Sequence, residues 1–188
     1  FAQWFTDSFL RTHPTDRRLN TSNHEIDLCQ IYGLDARQSA MLREGVGGRL
    51  RTSAAETGEF PPLLRPDGVT MDPVFSGMPY ADGEDGTPSM RTMIDLGFRV
   101  AVPDDEKRRA LVEERLPGMY ASGLERGNST LLYAALSTLF IREHNRICAK
   151  LAAANPFWDD DRLFQTARCV NIVCLLRVVI EDYINHIA

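Results

Sequence analysis

Residues 139–148 read Leu139-Phe140-Ile141-Arg142-Glu143-His144-Asn145-Arg146-Ile147-Cys148, and this stretch decides the fold. Five consecutive polar residues sit inside an apolar run. Leu132, Leu136, Leu139, Phe140, Ile147, Cys148 and Leu151 recur at helical spacing. The spacing predicts a helix from about residue 129 to 154, with those side chains on its apolar side, stopped before Pro156. Buried charges persist only when paired and hydrogen-bonded, so Arg142 to Arg146 is expected to form a structural polar network that locks helices together.

Downstream, Asp159-Asp160-Asp161 suits the positive end of a second helix, which continues towards Ile187. Within it, Cys169–Ile180 is apolar nearly all round, broken by Asn171 and Arg177. That run is too short and interrupted to span a bilayer, and it belongs in the core of a large protein. Upstream, Asp104 caps a helix over 105–115 that Pro117-Gly118 ends, preceded by a short segment near 89–96. Residues 46–88 carry Gly47, Gly48, Pro61, Pro62, Pro66, Pro73, Pro79, Gly83 and Gly86, a long irregular connection. Asp35 caps a helix over 36–44, with Gly45 as its C′ glycine, and Gly33 closes a short mixed segment over 26–32. At the start, Phe1, Phe5 and Phe9 form an i, i+4 ladder that Trp4 and Leu10 widen, predicting a helix over 1–12 ended by the polar stretch from His13 to Asn23. Gln3, Thr6 and Asp7 project from one face of it. Strand signals are weak, and the class is mainly α.

The 188 residues suffice for one core, and 44% apolar with 25% charged residues describes a globular chain. A net charge of −5, with no Lys/Arg stripe, argues against a nucleic-acid partner. Cys29, Cys148, Cys169 and Cys174 lack C-x-x-C or zinc spacing and are read as small buried hydrophobes of a reduced protein. The chain opens without Met on an apolar segment and lacks the basic n-region of a signal peptide. It is expected to be an excised piece of a larger protein, leaving localisation open.

The Arg-Glu-His-Asn-Arg block, Pro156-Phe157-Trp158, the run Leu163-Phe164-Gln165-Thr166-Ala167-Arg168 and Ile180-Glu181-Asp182-Tyr183 together resemble the helix pair of animal haem peroxidases and cyclooxygenases. Phe1-Ala2-Gln3-Trp4-Phe5-Thr6 and Ile26-Asp27-Leu28-Cys29-Gln30-Ile31-Tyr32-Gly33 look like two further cyclooxygenase signatures, in the same order. The resemblance covers essentially the whole chain, weakest through 46–120. It implies a haem-peroxidase (cyclooxygenase-type) helical domain, present as a partial domain with a long irregular connection. Residues 1–188 would be its distal side, with the proximal part beyond the C-terminus. It does not support His144 as an iron ligand. A di-iron bundle is no better, because Glu143 adjoins His144 and Glu181 precedes His186 by five residues, so no Glu-x-x-His pair exists. His13, His24 and His186 are left as surface or packing residues, and no metal ligand is assigned.

By the resemblance, the first helix lies over the distal face of a haem, with Gln3 at the family's Gln position and Asp7 where the family has His. That His moves a proton on bound peroxide. A free Asp has a pKa of about 3.9 and returns a proton poorly at neutral pH. Burial would raise that value and a neighbouring cation lower it, so the substitution weakens hydroperoxide cleavage without excluding it. Gly123-Leu124-Glu125-Arg126-Gly127-Asn128 resembles the segment holding the distal arginine of animal peroxidases, and the twelve residues from Arg126 to Thr138 match the family's spacing. Such a guanidinium stabilises charge on the departing oxygen. Cyclooxygenases proper lack it. The family places Gln3, Thr6, Asp7 and Thr12 against the haem. Thr6 and Ser129 stand where some members esterify it, so non-covalent haem b is expected. Tyr183, Ile184 and Ile187 match the helix lining the fatty-acid channel. The implied function is haem-dependent fatty-acid oxygenation with O2 and peroxide, through a tyrosyl radical on a downstream residue. The alternatives are a peroxidase of small electron donors, or a haem- or lipid-binding pseudoenzyme. A homodimer, and peripheral membrane attachment through segments outside these residues, are compatible with it.

Overall fold

The computed structural model describes residues 1–13, 15–22, 25–82 and 89–187; Asn23, His24, Gly83 and Gly86 lie outside them. The helices are α1 (Ala2–Thr6), α2 (Cys29–Tyr32), α3 (Ala36–Leu42), α4 (Pro79–Asp82), α5 (Met90–Phe98), α6 (Asp105–Arg115), α7 (Leu131–Ala154), α8 (Asp160–Arg177) and α9 (Asn185–Ile187). Between α3 and α4 lies a hairpin of β1 (Ser53–Ala55) and β2 (Gly58–Phe60), antiparallel with Ser53 opposite Phe60. The class is mainly α, as the sequence predicts.

The hairpin of α7 and α8 carries the core. Thr130 caps α7 by accepting from Tyr133 N at 3.1 Å, Asn155 ends it, and Asp159 caps α8 by accepting from Arg162 N at 2.8 Å. The acidic run does more than match the helix dipole. Asp160 and Asp161 bind Arg43 at 2.7 and 2.8 Å, and Asp160 also takes Gly48 N at 2.7 Å. Between the two helices, Asn171 donates to the Phe140 carbonyl at 3.0 Å, and the rings of His144 and Phe164 meet at 5.2 Å.

His144 is fully buried. The Gly48 carbonyl, 2.8 Å from its Nε2, can only accept, so Nε2 carries the proton and Nδ1 accepts from the Tyr32 hydroxyl at 2.8 Å. Asn171 donates to that hydroxyl in turn at 3.1 Å. Burial holds the imidazole neutral, lowering its pKa to about 4. Asn145 pairs both backbone groups of Leu50, at 2.8 and 3.0 Å, as a neighbouring strand would. The expected network is therefore real but narrower than Arg142–Arg146. Glu143 and Arg146 form a surface pair one turn apart, and Arg142 reaches out to the Glu59 carbonyl and over the Phe60 ring.

Other expectations are corrected. The α7 face towards the core is Tyr133, Ser137, Phe140, Ile141, His144 and Cys148, so Leu132 and Leu139 are exposed. On α8 and its continuation, Val170, Val173 and Ile180 are exposed although the run is apolar, because one face of the helix has no packing partner among the described residues. A π-helical stretch over Val178–Ile184 carries the helix on, making Asp160–Ile187 28 residues, long and apolar enough by length and composition to cross a membrane. Its buried residues Leu163, Phe164, Ala167, Asn171, Leu175 and Val179 instead form part of the core. All four cysteines are free, but Cys169 is exposed and Cys174 half-buried.

Helix α3 stops at Leu42, because Arg43 turns extended and bridges to Leu50; Gly45, at φ 82°, shapes the following turn instead of capping the helix. Asp35 caps α3 as expected. The expected helix over 1–12 ends at Thr6. The Ser8 hydroxyl takes the Phe5 carbonyl, Asn20 takes that of Phe9, and the chain opens into a bridge from Thr12 to Asn20.

Candidate active site

Trp4 docks α1. Its indole donates to Ser137 Oγ at 3.0 Å and stacks on Phe140 at 5.1 Å, while Gln30 of α2 donates to the Trp4 carbonyl at 2.7 Å. The Gln30 carbonyl accepts from Gly123 N at 2.9 Å, which brings the loop over 120–128 against α2. A Cβ at Gly123 would lie 1.9 Å from the Cys29 carbonyl, so only glycine permits the approach. Asn128 closes the same loop by pairing Tyr120 N and O, both at 2.8 Å. Arg126 sits on the short 3-10 turn Glu125–Asn128 inside it.

This scaffold brings Asp7 and Arg126 together. Asp7 is buried, and its Oδ2 has no hydrogen-bond partner among the described residues. Its pKa is raised: burial is the largest influence, Arg126 and then Arg11 oppose it, Glu125 adds to it, and the Tyr133 hydroxyl weakly favours the charged form. Arg126 is half-exposed, with Nε 4.0 Å from Glu125 Oε1. Arg11 closes a buried ion pair with Glu125 at 2.8 Å. Arg11, Glu125 and Tyr133 were not singled out by the sequence. The signals were present: Arg11 follows Asp7 by four residues, and Glu125 adjoins Arg126.

The remaining candidates fall differently. Gln3 lies one turn before Asp7, its carbonyl accepting from Asp7 N at 3.1 Å, and its side chain is exposed. Thr6 is half-buried, with its hydroxyl turned back to the Gln3 carbonyl, and Thr12 is exposed at the bridge beyond α1. Gln3 and Thr12 are thus on the surface, and Thr12 is off the helix. Tyr183 packs its ring 5.3 Å from Phe1 and 6.4 Å from Phe5, joining the π-helical stretch to α1. Ile184 and Ile187 are exposed. An apolar groove of about 640 Å³ lies elsewhere, between Phe1, Phe60, Tyr120, Leu132 and Leu139. His13 binds Thr15 N and Asp16 N in a local turn, and His186 is exposed.

The sequence profile of the animal haem peroxidase family matches residues 6–188. Prostaglandin G/H synthase 2 of Equus caballus is 29% identical over 190 residues, and prostaglandin G/H synthase 1 of Oryctolagus cuniculus is 31% identical over 190 residues. Each alignment covers 100% of this chain and 25% of the relative. Among solved structures, Peroxidase A from Dictyostelium discoideum superposes with a TM-score of 0.57 at 21% identity, over 88% of this chain and 25% of that one. That likeness speaks to the fold. The chain spans a quarter of the length of these relatives.

Proposed function

The chain belongs to the animal haem peroxidase family, and from that premise we propose that its full protein is a haem-dependent oxidoreductase that oxygenates a fatty acid. The observation that carries the proposal is Asp7, a buried carboxyl with an unpartnered oxygen one helical turn after Gln3, whose ionisation the Arg126 charge favours. Relatives named prostaglandin G/H synthases support the fatty-acid substrate.

The residues present fit a non-covalent haem b on its distal side. The fit rests on the orphaned, buried carboxylate oxygen of Asp7, which needs a partner; Gln3 and Thr12 are exposed, and the Thr6 hydroxyl is turned to the Gln3 carbonyl. Neither Thr6 nor Ser129 has the carboxylate an ester link requires. Haem, when bound, supplies the electrons that break an O–O bond.

The side chains do the rest. The Gln3 amide orients the peroxide. Asp7 Oδ2 would take a proton from one oxygen of the peroxide and return it to the departing one, so that no proton is gained or lost. The elevated pKa of Asp7 suits the return step, which an exposed aspartate would perform poorly at neutral pH. Arg126 stabilises the negative charge that develops on the departing oxygen. Tyr183, Ile184 and Ile187 present an aromatic ring and two aliphatic side chains suited to an acyl chain.

The test uses the full-length protein with haem, a polyunsaturated fatty acid and isotopically labelled O2, with the product read by mass spectrometry. Label at one position of the acyl chain is the expected result. Turnover of phenolic donors alone would replace the oxygenase with a peroxidase, and turnover of neither would leave a pseudoenzyme.

A further inference from the structure

Helix α7 has two sides. One belongs to the core, and the other borders the apolar groove of about 640 Å³ that Phe60 and Tyr120 help to line. Of that lining, Leu131, Leu132 and Leu139 are 86%, 74% and 60% exposed. Three leucines so bare on one helix, bordering one groove, form a patch rather than scattered surface residues. From Leu131 to Arg142 the lining follows α7 for about 16 Å, with Ala134 and Ala135 among the leucines. Large and small side chains mixed in this way make ridges and hollows into which a second helix packs.

The groove is not wholly apolar. Arg142 is the charged member of its lining. Its Nε donates to the Glu59 carbonyl, and its guanidinium lies 4.8 Å from the centre of the Phe60 ring. Nη2 has no hydrogen-bond partner, and no carboxylate pairs with the guanidinium, among the described residues. Glu59 gives its carboxylate to Arg49 at 2.9 Å, and Glu143 gives its own to Arg146. A half-buried cation left in this state calls for a negative partner.

An occupant that matches the groove is therefore apolar along its length and carries one negative charge. A second copy of the chain offers only the same patch, and two-fold pairing would set that patch against itself with no carboxylate for either guanidinium. A membrane surface is held by clusters of basic residues, and this lining has one. The chain spans a quarter of the length of its relatives, so a protein of their length holds further segments that could supply the occupant. We propose that a helix from the remainder of the same polypeptide, outside residues 1–188, seats in this groove. It presents apolar side chains at i, i+3 or i+4 and i+7, and an Asp or Glu that pairs with Arg142. The helix covers the open side of α7 as α8 covers the other, where Asn171 and Phe164 meet Phe140 and His144. The proposal is independent of the reading of Asp7 as the group that moves the peroxide proton.

The experiment places a photo-crosslinker in the groove of the full-length protein, as Leu139→p-benzoylphenylalanine, and identifies the captured peptide by mass spectrometry. A link within one chain, to an amphipathic segment outside residues 1–188 that contains an acidic residue, is the expected result. A link between two copies would overturn the proposal and make the groove a dimer interface. Capture of an added long-chain fatty acid, or of no peptide, would overturn it and leave an open groove. The charge is tested separately. Arg142→Glu should lower the yield of the internal link about twofold to fivefold, the worth of a partly exposed ion pair, and reversing the acid of the captured segment to Arg should restore it. A yield that Arg142→Glu leaves unchanged overturns the pairing. Circular dichroism checks that each variant folds, and Arg142→Gln replaces Arg142→Glu if the latter does not.

Discussion

Asp7 is buried beside two guanidiniums and a second carboxylate, and burial outweighs the guanidiniums, so its carboxyl holds a proton more readily than an exposed aspartate. His144 shows the same effect with opposite sign. Its pKa falls from 6.5 to about 4, so the unfolded chain takes up a proton below pH 6.5 while the folded protein does not. Stability is then fully present above pH 6.5 and lost as pH falls towards 4. Denaturant titration of the full-length protein should show a loss on the order of 2 kcal/mol between pH 7 and pH 5 from this residue. His144→Gln should show a correspondingly smaller pH dependence; an equal one would mean that His144 does not titrate as described. Gln3, Asp7 and Arg126 were legible as candidates because their surroundings resemble the family's motifs; Gln3 lies exposed, while Asp7 is buried. Arg11, Glu125 and Tyr133 were not, because their meeting depends on how α1, the 120–128 loop and α7 pack.

Among the elements, α7 and α8 were the most legible, since Thr130, Asp159 and Pro156 give their ends in local chemistry. Their buried faces were less so. Sequence periodicity ranks Leu132 and Leu139 with the core, yet the polar Ser137, His144 and Asn145 point inward because each has a partner there. The hairpin escaped notice because Ser-Ala-Ala and Gly-Glu-Phe are too short and too mixed to show alternation. Helix α1 was overdrawn because Phe9 continues the aromatic ladder after Ser8 and Asn20 have diverted the backbone. The loop that carries Arg126 depends on Gly123. Gly123→Ala would drive a methyl into the Cys29 carbonyl and displace the loop from α2. A loss of about 1–3 kcal/mol in stability, with slower peroxide activation, is expected from denaturation and stopped-flow measurements. Wild-type behaviour in both would show that the loop does not need this approach.

At the scale of the whole molecule, the described residues share a core that runs from Trp4 through Tyr32, Phe140 and Phe164. Around it, Leu131, Leu132, Leu139, Val173 and Ile180 remain exposed. The family and its helical class were readable from six short motifs in order, because those motifs encode buried amide pairs and the His144 network. The chemistry was less readable, because one residue, Asp7, stands where the motif has an imidazole and its behaviour is set by groups distant in sequence. The central claim is that this carboxyl moves the peroxide proton. Stopped-flow absorbance of the full-length, haem-loaded protein mixed with hydroperoxide, wild type against Asp7→Asn, tests it most directly. Activation slower by about 10²-fold or more in Asp7→Asn, with haem binding retained, is expected; an unchanged rate would remove Asp7 from the chemistry.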